Sequence, residues 1–486
     1  MSSLSYQDLQ QFGADIDNAT DTRNRVQLEA LDLKAADYCK DQASDYAAYM
    51  WYFRSNIQAA LQDLSDPRSW EWRQPHRERQ ILYLRRSASH PTFLRLARTS
   101  QASVLTNLAN SLSSLGRGLE AIELYDEALK RVPQFAMALG NRGSAMHGLL
   151  VSIPDTGHIR LVAAHAHSRL KSAVQPDVTW EGGDPAASAY FANIATHIES
   201  KIDPARVIAE NPLDAFSLGR SKEEQHYRRW ALNHNLFLNP LQMIGPHAIA
   251  ATDRMNLPSH TAPISDPPEY IAWFNQMKQE YVGARLFLYG ASKPKTRHFA
   301  DRKVFLVNTL DYPAFGIQIE ELRSAFRTAF SILDKVAGFI NAYYKLGMDA
   351  KRVDIRSIWH TKKGDLRPEF LKKENLALRG LYWLALDIIG DEPADQDSIA
   401  PQAAELKRLR NLLEHRSLVL REMNVNDPMG VVETAALTDF EEHALYILKL
   451  ARSALMYLAF SMRKEETDRK AKDDGFVPGI ELPILT

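Results

Sequence analysis

The pattern of apolar and polar positions along the chain is helical almost throughout. From about residue 45, apolar residues recur every three or four positions, and short polar or proline-containing breaks separate these stretches. Four long patterns of this kind follow one another in the second half, at about 318–346, 375–390, 402–424 and 438–465. They predict a helical bundle. Two short apolar runs, ARLFLYG and KVFLVNTLD, flank the basic stretch SKPKTRHFADRK and predict at most a small β-hairpin.

Residues 101–150 carry the spacing of a 34-residue tetratricopeptide (TPR) unit. The positions that fit are Leu105, Leu108, Ala109, Leu112, Gly116, Ala121, Tyr125, Ala128 and Pro133. Small alanines let two antiparallel helices approach, Gly116 makes the turn, and Pro133 ends the second helix. A degenerate repeat begins at MALGNRGSAMHGLL. Because a stable stack needs about three repeats, we expect flanking helices near 46–64, 76–88, 158–174 and 186–200 to complete it.

These patterns predict an all-α chain with a TPR-like N-terminal region followed by a helical bundle. The predicted divisions are a polar lead-in at 1–44 with one helix near 23–40, a TPR-like domain at 45–200 and a linker at 201–225. A bundle with an irregular N-terminal part follows at 226–465, and a tail at 466–486. The TPR-like face either binds a peptide, a protein partner or RNA, or is a scaffold without a binding role.

Charge and cysteine content narrow the possible functions. The chain has 59 Lys and Arg against 60 Asp and Glu, so RNA contact needs a local patch and not a chain-wide positive field. A single cysteine, Cys39, excludes an intrachain disulfide and Cys-rich zinc or iron–sulfur sites. The N-terminus has no signal-peptide pattern, and the apolar stretch Ala444–Phe460 is interrupted by Lys449 and Arg452. We therefore expect a cytoplasmic protein that does not enter a membrane.

The third bundle helix carries a candidate catalytic motif. Arg410, Asn411 and His415 form R-N-x-x-x-H in a stretch with more basic than acidic residues. Asn411 and His415 share one helix face and Arg410 lies on its flank. Histidine exchanges protons near neutral pH and arginine forks onto phosphate oxygens, so together they suffice for metal-free phosphodiester transesterification. Taken alone, the same spacing also fits an ordinary solvated helix face.

The motif resembles the R-x(4–6)-H signature of the HEPN superfamily, including the polar residue after the arginine. The stretches LTNLANSLSSLGRGLEAIELYDEAL, YRRWALNHNLFLNPL, FNQMKQEYVGARLFLY, AFRTAFSILDKVAGFINAYY and LRNLLEH resemble a bacterial family that fuses TPR-type helices to a C-terminal HEPN domain. This resemblance covers about residues 45–460.

The resemblance implies metal-independent RNA cleavage in stress, toxin or phage-defence settings, by a homodimer that brings two motifs together. It implies that His415 handles the 2′-hydroxyl or leaving-group proton, that Arg410 stabilises the phosphorane and that Asn411 orients one of them. Some HEPN enzymes carry a tyrosine shortly after the histidine. Here Arg416 and Ser417 follow instead, so tyrosine assistance is not implied.

Further residues are candidates for supporting roles. Arg408, Arg416, Arg323 and Arg327 are candidate phosphate contacts, although solvated arginines are the default. Asp334 either holds the Arg410 guanidinium or lies on a surface face. His158, His165 and His167 do not converge on a helix, and no P-loop or H-E-x-x-H pattern occurs. We therefore expect no metal and no cofactor.

Two functional classes remain. One is a HEPN endoribonuclease whose TPR region binds a partner or the substrate. The other is a non-catalytic interaction protein that binds RNA, a nucleotide or a protein partner.

Overall fold

The computed structural model describes residues 5–40, 45–65, 70–180, 185–260, 268–294, 297–388, 399–423, 432–472 and 482. These residues form seventeen α-helices and one two-stranded sheet, so the prediction of an all-α fold is confirmed. The first eleven helices are α1 (Tyr6–Asp21), α2 (Arg25–Cys39), α3 (Ala47–Ser65), α4 (Pro75–Ser89), α5 (Arg98–Ser114), α6 (Gly118–Arg131), α7 (Ala136–Leu149), α8 (Thr156–Ala173), α9 (Pro185–Glu199), α10 (Pro204–Glu210) and α11 (Lys222–Asn233). The remaining elements are α12 (Glu269–Ala291), α13 (Ile317–Tyr343), α14 (Pro368–Leu371), α15 (Leu376–Ala385), α16 (Ala403–His415), β1 (Leu418–Arg421), β2 (Glu433–Ala436) and α17 (Leu437–Lys470).

Residues 5–40 contain more helix than the sequence pattern predicts. The lead-in was expected to hold one helix, but it forms α1 and α2, and Ser5 closes a capping box at the start of α1. Phe12 and Ile16 of α1 and Leu28 of α2 pack with Ile57 of α3 in a core of their own. The periodicity of this stretch is weak because its few apolar residues are divided among the contacts between α1, α2 and α3. The sequence pattern therefore does not predict this three-helix unit.

The helix pair predicted at the repeat is present. Helices α5 and α6 run on either side of Gly116, whose φ of 90° suits glycine and few other residues. Ala109 and Ala121 are fully buried between the helices, and α6 ends at Arg131, just before Pro133. Helices α3, α4, α8 and α9 lie where the flanking helices were predicted. The assignment of this stack to the TPR class stays a prediction.

The expected linker at 201–225 is partly helical. It contains α10 and the start of α11. Val207 of α10 is buried in the same core as the bundle helices. The predicted domain boundaries therefore remain predictions, and no break in the core separates the described parts on either side of 201–225.

Helix α17 is the central helix of the bundle. Its 34 residues pack against α12, α13 and α15. Among the described residues it is the one helix long and apolar enough to cross a membrane, yet 83% of its most apolar window is buried inside the protein. This burial is what a core helix requires.

The predicted hairpin is wrong. ARLFLYG lies within α12, and KVFLVNTLD has no regular secondary structure. The sheet that does form is parallel and pairs β1 with β2. The helical pattern at 402–424 is divided at His415, because the residues after it extend and pair with β2 instead of continuing the helix.

The N-terminal helices are fixed to the bundle by a contact that we call the seam, centred on Gly116, Gly380 and Asp387. A Cβ atom on Gly116 would overlap the carbonyl oxygen of Leu376, and one on Gly380 would press on the Gly116 backbone. Beside this close approach, the buried carboxylate of Asp387 accepts hydrogen bonds from Arg85 at 2.7 and 3.0 Å. It also pairs with Arg117 at 2.8 Å.

Candidate functional site

Helix α16 carries the motif on an amphipathic frame. Leu406, Leu409 and Leu413 form its buried face, because residues three and four apart lie on one side of a helix. Asn411 and His415 lie on the opposite face and are exposed. Packing therefore fixes the helix while leaving these two polar side chains in solvent.

Arg410 is held at the boundary between the two faces. Its Nη2 donates to Oδ2 of Asp334 on α13 at 2.7 Å, and its guanidinium carbon lies 5.5 Å from the centre of the Phe330 ring. No other hydrogen bond of this guanidinium occurs within the described part of the chain, so its remaining N–H groups are available to an anion. The predicted contact between Asp334 and Arg410 is present.

Asp334 joins three elements at this point. Besides Arg410 it accepts a 3.3 Å hydrogen bond from the backbone N–H of Ile355. Burial raises the pKa of Asp334, and the positive charge of Arg410 opposes that rise. The carboxylate thus orients Arg410, and its own charged form depends on the arginine that it holds.

Two arginines of α13 secure the end of α16. Arg327 donates from Nη2 to the carbonyl of Leu413 at 3.0 Å, which satisfies one of the carbonyls left free at a helix C-terminus. Arg323 donates to the carbonyl of Leu418 in β1 at 2.8 Å and pairs with Glu320 at 2.5 Å. Both side chains lie near the C-terminal end of α16, where His415 is located. Part of each guanidinium is already hydrogen-bonded to a backbone carbonyl.

The other two predicted phosphate contacts differ in their surroundings. Arg408 pairs with Glu405 at 2.7 Å and with Glu433 of β2 at 3.0 Å. The contact with Glu433 attaches α16 to the sheet, so we infer a structural role for Arg408. Arg416 is exposed, follows α16 directly in extended conformation, and has no recorded side-chain partner among the described residues.

Within one chain, the two chemical groups of the motif point in different directions. Arg410 and His415 lie about 140° apart around α16, because five residues at about 100° each exceed a full turn by that angle. Arg410 faces α13, and His415 is the last residue of the helix. One chain therefore presents a guanidinium and an imidazole that do not converge on a common point.

Among the described residues, no group of three or more His, Cys, Asp or Glu side chains is placed to hold a metal ion. The expectation of metal-free chemistry stays a prediction that only an experiment with a chelator decides.

Two features of the site were not predicted. Phe330 lies on the apolar face of α13, and its place beneath Arg410 depends on how α13 packs against α16. Strand β1 was read as helix, although its alternation of Leu418, Val419 and Leu420 fits either element, and its partner β2 is distant in sequence.

Comparison with known families agrees with the C-terminal assignment. Residues 261–465 match the family model described as LA2681-like HEPN. This range contains α12 to α16, both strands and most of α17, and with them every residue of the candidate site. No curated protein and no solved structure matches the chain.

Proposed function

Because residues 261–465 form an LA2681-like HEPN domain, we propose that the protein is a metal-independent endoribonuclease. The observation that carries this proposal is the arrangement on α16. Arg410 is oriented by Asp334 with N–H groups to spare, and His415 is exposed at the end of the same helix. An oriented guanidinium and a solvent-accessible imidazole are the two groups that RNA transesterification needs.

The proposed reaction balances without a metal or a cofactor. The 2′-oxygen of a ribose attacks the adjacent phosphorus and a bond forms between them, while the bond from phosphorus to the 5′-oxygen of the next nucleotide breaks. His415 accepts the 2′-hydroxyl proton or supplies the proton that the 5′-oxygen takes up, and water exchanges the other proton. Arg410 stabilises the negative charge of the phosphorane, and Asn411 orients one of these groups. The products are a 2′,3′-cyclic phosphate and a 5′-hydroxyl.

We further propose that the active form is a homodimer. In one chain His415 and Arg410 diverge, so a scissile phosphate bound to Arg410 is not automatically within reach of His415 of the same chain. A second copy supplies another His415 and another Arg410 at the same cleft.

The biological setting is proposed from the resemblance alone. It favours a cytoplasmic enzyme of stress, toxin or phage-defence responses, with the N-terminal helical region binding the RNA or a protein partner. The seam supports a link between the N-terminal helical region and the bundle, because Arg85 and Arg117 of the first form ion pairs with Asp387 of the second.

Cleavage of unstructured RNA in the presence of EDTA tests the proposal. His415→Ala and Arg410→Ala should each lower the rate by at least about 100-fold, the lower end of what general acid–base catalysis contributes. His226→Ala and Arg352→Ala serve as matched controls, since both side chains are exposed and lie outside the site. The controls should keep the wild-type rate.

Circular dichroism of each variant shows whether a lost rate reflects lost folding. If the wild type leaves every tested RNA intact with EDTA and with magnesium, the protein is better described as a non-catalytic interaction protein. If EDTA abolishes cleavage, the metal-free mechanism is wrong even though ribonuclease activity is real.

A further inference from the structure

The segment between α12 and α13 exposes an unusual number of apolar side chains. We call residues 304–315 the edge segment. Phe305 is 93% exposed and Val307 is 85% exposed. The other exposed apolar residues of the segment are Val304, Leu306, Leu310, Tyr312 and Phe315. A continuous apolar run of this kind is typical of a strand covered on both faces, yet here both faces meet solvent.

The end of the edge segment is attached to the strand that follows the candidate site. Ala314 donates to the carbonyl of Leu420 at 2.8 Å, and Glu422 donates to the carbonyl of Tyr312 at 3.0 Å. Asp311 adds an ion pair with Arg421 at 2.6 Å. The segment therefore lies along β1 on the side away from β2, and β1 begins three residues after His415.

The part of the segment before this attachment has unpaired backbone. Residues 305–309 make no backbone hydrogen bond to any described residue. The chain bends after them, where Leu310 and Tyr312 both have positive φ. Unpaired N–H and C=O groups combined with exposed β-prone side chains are also the properties of an open sheet edge, which attracts another strand.

We propose that residues 304–310 pair in antiparallel fashion with the same residues of a second copy of this chain. The proposal rests on the proposed function, because it identifies the surface that brings two copies of α16 together. Antiparallel pairing of a segment with itself satisfies a two-fold axis, which is the commonest symmetry of protein dimers. The run VFLVNTL contains no charged residue, so the two copies of the segment meet without like-charge repulsion.

The observations favour a second copy over RNA as the occupant of this edge. Among residues 304–310 the one aromatic ring is that of Phe305, whereas Val304, Leu306 and Val307 offer no ring on which bases stack. Two cations that precede the segment are already engaged. Lys293 pairs with Glu223, and Arg297 donates to the backbone carbonyls of Asp301 and Arg302.

Sedimentation velocity of the full chain measures the pairing directly. The wild type should sediment as a dimer, and the double variant Phe305→Lys, Val307→Lys should sediment as a monomer. Both side chains are exposed in one chain, so folding should be unaffected, as circular dichroism will show. Val26→Lys is the matched control because Val26 is 77% exposed on α2, and this variant should remain a dimer.

A cysteine scan tests the strand geometry. Directly opposite residues in a non-hydrogen-bonded antiparallel pair lie about 4.5 Å apart at Cα, within reach of a disulfide. A cysteine at one position among 305–308 should therefore form a covalent dimer under mild oxidation, whereas Val26→Cys should not. The one native cysteine, Cys39, is buried, and burial raises the pKa of its thiol to about 11, so it gives no background.

The outcomes separate this inference from the proposed function. A wild type that is monomeric throughout, or a Lys double variant that stays dimeric, overturns the edge pairing even if RNA is cleaved. A wild-type dimer that the double variant disrupts supports the pairing even if no RNA is cleaved. Binding of single-stranded RNA by a monomeric wild type, lost in the double variant, would identify RNA as the occupant and overturn the pairing with a second copy.

Discussion

The seam and the end of α16 at His415, which we call the far end, differ in how they place polar and apolar groups. The seam buries them, and the far end exposes them. At the seam, a fully buried carboxylate is matched by two arginines and backbone meets backbone across two glycines. At the far end, His415 and Arg416 are exposed and residues 304–310 leave apolar side chains in water. The seam satisfies its buried carboxylate within one chain, whereas the far end leaves polar and apolar side chains in solvent.

This difference indicates where function lies. Buried ion pairs do not by themselves make a protein more stable than apolar packing would, but removing one partner is costly, so the seam fixes the N-terminal helices relative to the bundle. Contiguous exposed apolar segments are unusual on the surface of a monomeric protein and mark interaction sites. The seam thus joins the N-terminal region to the bundle, and the far end of α16 is left exposed to solvent.

The largest expected effect comes from breaking the charge balance of the seam. Asp387→Asn removes the carboxylate that pairs with Arg85 and leaves buried Arg117 with Glu120 alone, and we expect the free energy of unfolding to fall by about 3–5 kcal/mol. Asp468→Asn is the matched control, because Asp468 pairs with Lys464 in solvent at 2.6 Å and should cost at most about 1 kcal/mol. Urea denaturation measures both. Equal losses in the two variants would contradict the special role of the seam.

The contact of Asp387 with Arg85 and Arg117 also predicts how the free energy of unfolding depends on pH in acid. Burial acts to raise the pKa of Asp387, but Arg117 and Arg85 outweigh it and lower the pKa to about 2. Because this is below the value of about 3.9 in an unfolded chain, the pair stabilises the fold above pH 4 and that contribution is lost as pH falls from 4 to 2. Asp387→Asn should flatten this part of the stability profile.

A smaller effect is expected from the glycine contact. Gly116→Ala adds a Cβ that overlaps the Leu376 carbonyl at a residue with φ of 90°, so we expect a loss of about 2–4 kcal/mol from overlap and strain. Gly283→Ala in α12 meets no atom within 4 Å and should instead stabilise by about 0.5–1 kcal/mol. Thermal unfolding distinguishes the two signs. A tolerated Gly116→Ala would mean that the two parts are not held tightly there.

The features predictable from sequence are those set by local periodicity. Helices α13 and α17, the turn at Gly116 and the face shared by Asn411 and His415 all follow from spacing within a few residues. The Asp334 contact was predicted as one of two alternatives, since a lone acid in an apolar helix indicates either a partner or a surface.

The features that could not be predicted depend on distant partners. The end of α16 at His415 is set by the pairing of β1 with β2, and a local pattern cannot reveal a pairing between two separate stretches of the chain. KVFLVNTLD has the composition of a strand, but a strand needs a neighbour, and one chain provides none for residues 305–309. That failed hairpin prediction and the proposed dimer edge have the same physical origin.

We propose that the exposed end of α16 is a ribonuclease site working through the 2′-hydroxyl. The most direct measurement incubates the wild-type protein, in EDTA, with an RNA and with its fully 2′-O-methylated counterpart, and identifies the product ends. The account predicts cleavage of the RNA only, with 2′,3′-cyclic phosphate and 5′-hydroxyl ends. Cleavage of the methylated strand, products with 3′-hydroxyl ends, or no cleavage of either strand would contradict it.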